Sequence, residues 1–169
     1  VHPICDVQIE YSLITRGIEQ EILPVCRELG IAITAYGVLS RGLLSGHWSN
    51  DRVIGSEDFR SISPRFRDDN LKINLKLVER VRTIAHDMGV SVAQVAIAWV
   101  DAQGKDIIPL IGARRRDQLM EALGATNLHL TQTQLEALED AIPVGAVAGA
   151  RYPEALLVHM DSERSSRSQ

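Results

Sequence analysis

The residues best suited to chemistry in this chain lie between Ile107 and Ala125, in the run IIPLIGARRRDQLMEALGA. An apolar run ends at Gly112, three consecutive arginines follow, and an amphipathic helix starts almost at once. A short apolar run bounded by glycine suits a strand buried on both faces. The break after it brings a helix N-terminus, with unpaired N–H groups and a partial positive charge, beside Arg114, Arg115 and Arg116. Together these form a cradle suited to phosphate. A solvated basic turn carries the same signature, so the surrounding elements must decide between the two.

Composition makes any role for these arginines a local one. The 169 residues suffice for one domain with a sizeable core, and 45% hydrophobic with 24% charged content is that of an ordinary globular protein. A net charge of −4 argues against general nucleic-acid or membrane-surface binding. Cys5 and Cys26 have no metal-ligand or redox spacing, so reduced thiols in a cytoplasmic protein are expected. The sequence has no signal-peptide pattern and no apolar run long enough to span a bilayer. The chain opens Val1-His2-Pro3 and reaches a strand-like run within a few residues, as expected of a segment cut from a longer polypeptide.

Three apolar runs read as strands: Cys5–Ser12, Ile31–Tyr36 and Ile107–Ile111. A helix follows the first, with Ile18, Ile22, Leu23, Val25 and Cys26 as its buried stripe and Pro24 kinking it or confining it to two pieces. After the second strand, residues 37–72 are polar and irregular, and a loop this long in a compact domain is usually a lid or binding loop. Helical spacing then runs from Ile73 to Met88, followed by a second helix, Val92–Gln103, capped by Ser91 and apolar almost all round. The helix after the third strand spans about Arg116 to Leu123, and Thr131-Gln132-Thr133-Gln134 opens a last one with Leu135, Leu138 and Ile142 on one face. Beyond Pro143 the chain is Gly/Ala-rich, and residues 161–169 are a polar tail expected to be disordered. Strand–helix alternation with short connections implies a parallel α/β arrangement, in which ligands bind at the carboxyl ends of the strands.

Three stretches carry a family resemblance: VQIEYSLITRGIEQEILPVCRELGI at Val7–Ile31, AYGVLSRGLLSG at Ala35–Gly46, and VAQVAIAWV with the following IIPLIGARRRDQLMEALGA. In register and at family spacing they resemble the C-terminal half of an aldo-keto reductase, of the bacterial general-reductase and potassium-channel β-subunit branch. The similarity extends over residues 1–160, down to GARYP at Gly149–Pro153. It implies a (β/α)8 TIM barrel whose sixth, seventh and eighth strands are the three found here. It implies NADPH as cofactor, with Gln8 on the nicotinamide carboxamide and Tyr36 stacked on the nicotinamide ring. Gly37, Val38, Leu39, Ser40 and Arg41 would hold pyrophosphate and ribose, Arg65 or Arg67 would clamp the pyrophosphate from the long loop, and Gly112 and Arg114 would approach the 2′-phosphate. Gln118 and Glu121 match the family's Q-L-x-E that reaches the adenosine end. Two positions depart from the pattern: Ala122 stands where the family has Asn, and Gly37-Val38 replace Ser-Pro.

The family's Asp, Tyr, Lys and His that reduce the carbonyl belong to segments with no counterpart here. His86 and His129 are expected on the surface and Tyr11 in the core. The expectation is therefore the NADP(H)-binding portion of an enzyme that transfers hydride to an aldehyde or ketone, inactive by itself. The alternative is a catalytically silent half-barrel or cofactor-sensing module. Such a half-barrel has open strand edges, which self-association or an N-terminal half would cover.

Overall fold

The computed structural model describes residues 2–49 and 51–157. Three parallel strands, β1 (Asp6–Glu10), β2 (Ala32–Tyr36) and β3 (Ile107–Pro109), lie in the order β1-β2-β3. Gln8 is in register with Thr34, Glu10 with Tyr36, and Thr34 with Ile108. All three strands end on the same side. Pro109 has no N–H to give the ladder, so the last bond runs from the Leu110 amide to the Ala35 carbonyl, at 2.8 Å.

Alternation along the strands separates two faces. Ile33, Ala35 and Ile107 are buried under the helices, whereas Gln8 is exposed and Ile108 and Leu110 are 56% and 48% exposed on the other face. The expectation of a third strand covered on both sides is thus met on one side only.

The helices follow the sequence periodicity closely, with three corrections. Pro24 divides the first helical region into a 3-10 turn at Gly17–Glu19 and α1 (Ile22–Glu28), in which Leu23 and Cys26 point inward. Val25, expected in that stripe, is 51% exposed because the helical repeat turns it away from the face that Leu23 and Cys26 share. α2 (Asp68–Asp87) begins five residues before the expected Ile73. Asp68 and Asp69 favour its positive end, and Leu71, Asn74, Leu75 and Val78 extend its buried row backwards. α3 (Val92–Asp101) is capped reciprocally by Ser91 and Gln94 and meets α2 at 90°. Its residues Val92–Val100 are buried except Gln94, with Trp99 stacked against Tyr11 at 5.5 Å.

α4 (Arg116–Gly124) keeps no fully buried residue, and Leu119, Met120 and Leu123 are half-exposed or more, where a core-facing stripe was expected. α5 (Gln132–Ala141) has the capping box at Thr131 and Gln134, with Leu138 and Ile142 in the core. The Gly/Ala-rich stretch past Pro143 packs as an ordered strap: Asn74 clips it by accepting from the Ala148 amide at 2.8 Å and donating to the Ala148 carbonyl at 2.9 Å. A short α6 (Glu154–Leu157) follows, and the tail at 161–169 lies outside the described residues.

Candidate functional site

A cavity of about 700 Å³ opens where β2 and β3 release the chain, between the loop after Tyr36 and the turn into α4. Its walls include Gly37, Val38, Leu39 and Arg41 from the first loop and Gly112, Arg114, Arg115 and Gln118 from the second. Arg52, Arg60 and His47 complete it from the long loop. Five arginines therefore face one space, and among the described residues no Asp or Glu lines it. In a chain of net charge −4 that is a strong local reversal of sign.

The loop after β2 is wound tightly to make this wall. Gly37, Ser40, Arg41 and Gly42 all take positive φ, at 70°, 45°, 56° and 95°. For Ser40 and Arg41 this is a costly conformation, of the kind concentrated at ligand-binding turns. Ser40 turns its hydroxyl inward to Ser12 Oγ at 3.3 Å and does not line the cavity. The Arg41 guanidinium is held between the rings of Phe59, at 4.9 Å, and Tyr152, at 4.5 Å, and donates to the Arg151 carbonyl at 3.3 Å. Stacking fixes the planar head while leaving donors at its edge.

A second stack holds the opposite wall. Trp48 is buried, packs edge-on against Phe66 at 4.9 Å, and carries Arg52 at 4.5 Å and Arg60 at 4.9 Å over its ring. Arg60 also pairs with Asp58, and hydrogen bonding from that guanidinium lowers the Asp58 carboxyl to about 2. Neither Arg52 nor Arg60 is marked by sequence spacing, since a side chain's partner ring cannot be read from a 36-residue polar loop. The only hint was two tryptophans in a chain with 4% aromatics, one of them in that loop.

The arginine triplet is more occupied than its sequence suggests. Gln118 Oε1 accepts from the amides of Arg114 and Arg115, at 3.1 and 3.2 Å, and so closes two of the helix-end donors. Arg115 pairs with Asp117 at 2.9 Å, and Arg116 stays off the cavity wall. Arg114 is the member of the triplet that lines the space without forming an ion pair among the described residues. Glu121 lies beyond the wall, on the following turn of α4.

Gln8 and Tyr36 share the open face of the sheet, one register step apart, and neither lines the cavity. Burial and the adjacent Tyr152 hydroxyl push the Tyr36 phenol up to about 12. Arg65, expected as a clamp, is turned away from the cavity: its Nη1 donates to Thr15 Oγ1 at 2.6 Å and lies 4.0 Å from Glu10 Oε1. Glu10 is the centre of this buried group. Its Oε1 accepts from Thr15 Oγ1 at 3.1 Å, and its Oε2 accepts from Arg151 Nη1 at 3.2 Å. A buried acid demands a buried cation, but the partner is 141 positions away and sequence spacing cannot pair them.

His86 and His129 are exposed, and Tyr11 is 1% exposed in the core, where its hydroxyl donates to Glu19 at 2.8 Å.

The sequence and fold match known proteins. The family described as "Aldo/keto reductase family" matches residues 1–143, and the chain belongs to that family. A protein named "Probable aldo-keto reductase 1" from Glycine max is 41% identical over 152 residues, which is 90% of this chain and 44% of that protein. A solved glycerol dehydrogenase from Gluconobacter oxydans superposes with a TM-score of 0.79 at 33% identity, over 83% of this chain and 43% of its own. An aldo/keto reductase from Klebsiella pneumoniae in complex with NADP and acetate shares the fold at 21% identity, with a TM-score of 0.60 over 88% of this chain and 43% of its own. The chain therefore spans less than half the length of the relatives it matches. The family fold is a (β/α)8 barrel, and the parallel strands and covering helices here belong to that class.

Proposed function

We propose that this chain forms the NADP(H)-binding portion of an aldo-keto reductase that moves hydride between NADPH and an aldehyde or ketone. The observation that carries the reading is the cavity at the carboxyl ends of β2 and β3, walled by five arginines and free of carboxylates. Its charge fits a ligand with pyrophosphate and a further phosphate, and the position is where parallel α/β folds bind such groups. Gly112 has open space around it, so backbone can approach a ligand there.

In this reading Arg41, Arg52 and Arg60 hold the pyrophosphate, Arg114 takes the 2′-phosphate, and Tyr36 and Gln8 carry the nicotinamide end across the open sheet face. NADPH, when bound, supplies the hydride. The chain's own residues orient it and supply no acid: the described cavity wall holds His47 but no Tyr, Lys or Asp. The carbonyl chemistry is assigned to the rest of the enzyme. The exposed Gln8, Ile108 and Leu110 support reading β1–β3 as strands six to eight of a barrel whose other strands cover that face.

Titration of the chain with NADPH, followed by cofactor fluorescence, tests this. Saturable binding that weakens about 10-fold or more in Arg114→Ala, with a smaller loss for NADH, is the expected result, since a hydrogen bond to a charged group is worth about 1.5–3 kcal/mol. Equal losses for both dinucleotides would reduce Arg114 to general charge. No binding at millimolar NADPH would end the cofactor reading for this chain.

A further inference from the structure

The strap at residues 145–152 runs from the end of α5 back to the carboxyl end of β1, and it meets the cavity wall at its last two residues. Arg151 is buried, with its side chain only 4% exposed, and its guanidinium donates to Glu10, whose side chain is 3% exposed. Its carbonyl accepts from Arg41. Tyr152 gives its ring to the Arg41 guanidinium at 4.5 Å and lies against the Tyr36 hydroxyl. Phe59 closes the same stack from the long loop, 6.0 Å from Tyr152 and edge-on to it.

The strap cannot slide along this wall. Gly149 has φ of 81°, and a Cβ there would come within 2.8 Å of the Pro64 carbonyl group. Gly37, which leads into the Arg41 turn, likewise leaves room for Glu10: a Cβ would come within 2.9 Å of Glu10 Cγ. Glu10 therefore touches the start of the ligand-facing turn through Gly37 and, through Arg151, anchors the strap that holds its far end.

We propose that the Glu10–Arg151 ion pair is a latch, and that Arg151 and Tyr152 are positioning residues for the cofactor site. By seating the strap they hold Arg41 flat and Tyr36 upright at one end of the ligand groove. The residues at the other end, Arg114 and Gln118, take no part in it. This rests on the cofactor reading above, and it makes a directional claim: losing the latch disables the nicotinamide and pyrophosphate end while sparing the adenosine end. A residue that merely supported the fold would affect both ends alike.

The test uses the unsubstituted chain with Arg151→Met, Tyr152→Leu and Tyr152→Phe, each titrated with NADPH and with 2′-AMP, which carries adenosine and the 2′-phosphate but no part of the pyrophosphate. Arg151→Met and Tyr152→Leu are expected to weaken NADPH about 10-fold, the scale of a lost desolvated cation–π contact and charge-assisted hydrogen bond, and to leave 2′-AMP within about 2-fold. Tyr152→Phe keeps the ring over Arg41 and is expected to recover most of the NADPH affinity lost in Tyr152→Leu. Because Arg151→Met removes a buried charge partner and can unfold the chain, the Tyr152 pair decides the matter alone in that event. Equal losses for both ligands, or unchanged NADPH binding in Tyr152→Leu, would overturn the latch while leaving the cofactor reading intact. Failure of the unsubstituted chain to bind either ligand would overturn the cofactor reading, and the latch's role with it.

Discussion

Two groups of arginines lie a few residues apart and have opposite characters. Around Glu10, Arg151 and Arg65 are buried, face a carboxylate, and spend their donors on the protein itself. Around the cavity, Arg41, Arg52 and Arg60 rest on aromatic faces, and among the described residues no acid lines the space they face, although Arg60 also pairs with Asp58 outside that wall. A guanidinium held by rings and not by a carboxylate, as Arg41 and Arg52 are, is fixed without being neutralised, whereas one on a buried carboxylate is both held and neutralised. The buried pairs suit a fixed strut and the ring-held cations a poised anion site. The difference teaches that residue type and proximity to a glycine-rich loop do not identify a phosphate ligand; the partner does.

The sharpest way to break this comparison is to remove one member of the buried group. Arg151→Met leaves Glu10 buried with Arg65, 4.0 Å away, as its remaining cation, and is expected to lower the unfolding free energy by about 3 kcal/mol, the low end for a broken buried pair, in urea titrations. A loss below about 1 kcal/mol would mean that Arg65 suffices for Glu10 and that Arg151 is no strut.

Gly37→Ala strikes the point where the two groups meet. The position has φ of 70° and Glu10 Cγ 2.9 Å from any added Cβ, so a destabilisation of roughly 1–3 kcal/mol is expected by the same measurement. Its companion control is Gly112→Ala, where open space surrounds the Cβ and φ is not in the left-handed region.

On the cavity side, Arg52→Ala is expected to change stability by no more than about 0.5 kcal/mol, since the residue is exposed and forms no ion pair among the described residues. Its effect falls on ligand binding: several-fold weaker NADPH affinity, about 1 kcal/mol, with a shallower dependence of affinity on salt. If Arg65→Ala reproduced that change in salt dependence at equal stability, the division into strut and anion site would be wrong.

The smallest effect concerns acid. Asp58 is held at about 2 by hydrogen bonding from Arg60, below its ordinary 3.8, so the pair's contribution is fully present above the ordinary value. It fades as the pH falls from 3.8 towards 2. Because Arg60 stacks on Trp48, the fluorescence of that ring should change across this window in the natural chain and not in Asp58→Asn. An identical acid profile in the variant would show that Asp58 does not set the position of Arg60.

Much of this molecule is legible in its primary structure, for reasons that differ by element. Strands β1–β3 and helices α3 and α5 are visible because local patterns specify them: β-branched runs, a capping box, an apolar period. The first turn of α2 is not, because Asp68-Asp69-Asn70 reads as loop until Leu71 and Leu75 are seen to continue a buried row. α4 misleads in the other direction. Its amphipathic spacing promises a buried stripe, yet Leu119, Met120 and Leu123 have little to pack on within these residues.

The cavity wall divides in the same way. Leu39, Arg41, Gly112, Arg114 and Gln118 are within reach of sequence because they follow strand ends and match a family's motif, and Gly37 and Val38 are reached by position alone, since they depart from it. Arg52 and Arg60 are not, because their placement depends on the ring of Trp48 folding beneath them.

What the sequence determined by itself is the class of fold, the family, and the strand ends from which a ligand site must grow. Those follow from short-range periodicity and from motifs a few residues long. Only the tertiary structure decided which cations face the ligand and which are buried struts. Arg65 and Arg60 lie five positions apart in the same loop, and nothing local distinguishes them. The choice is made by Glu10 and Trp48, 55 and 12 positions away from their respective arginines, because a guanidinium's role is fixed by the partner that long-range packing brings to it.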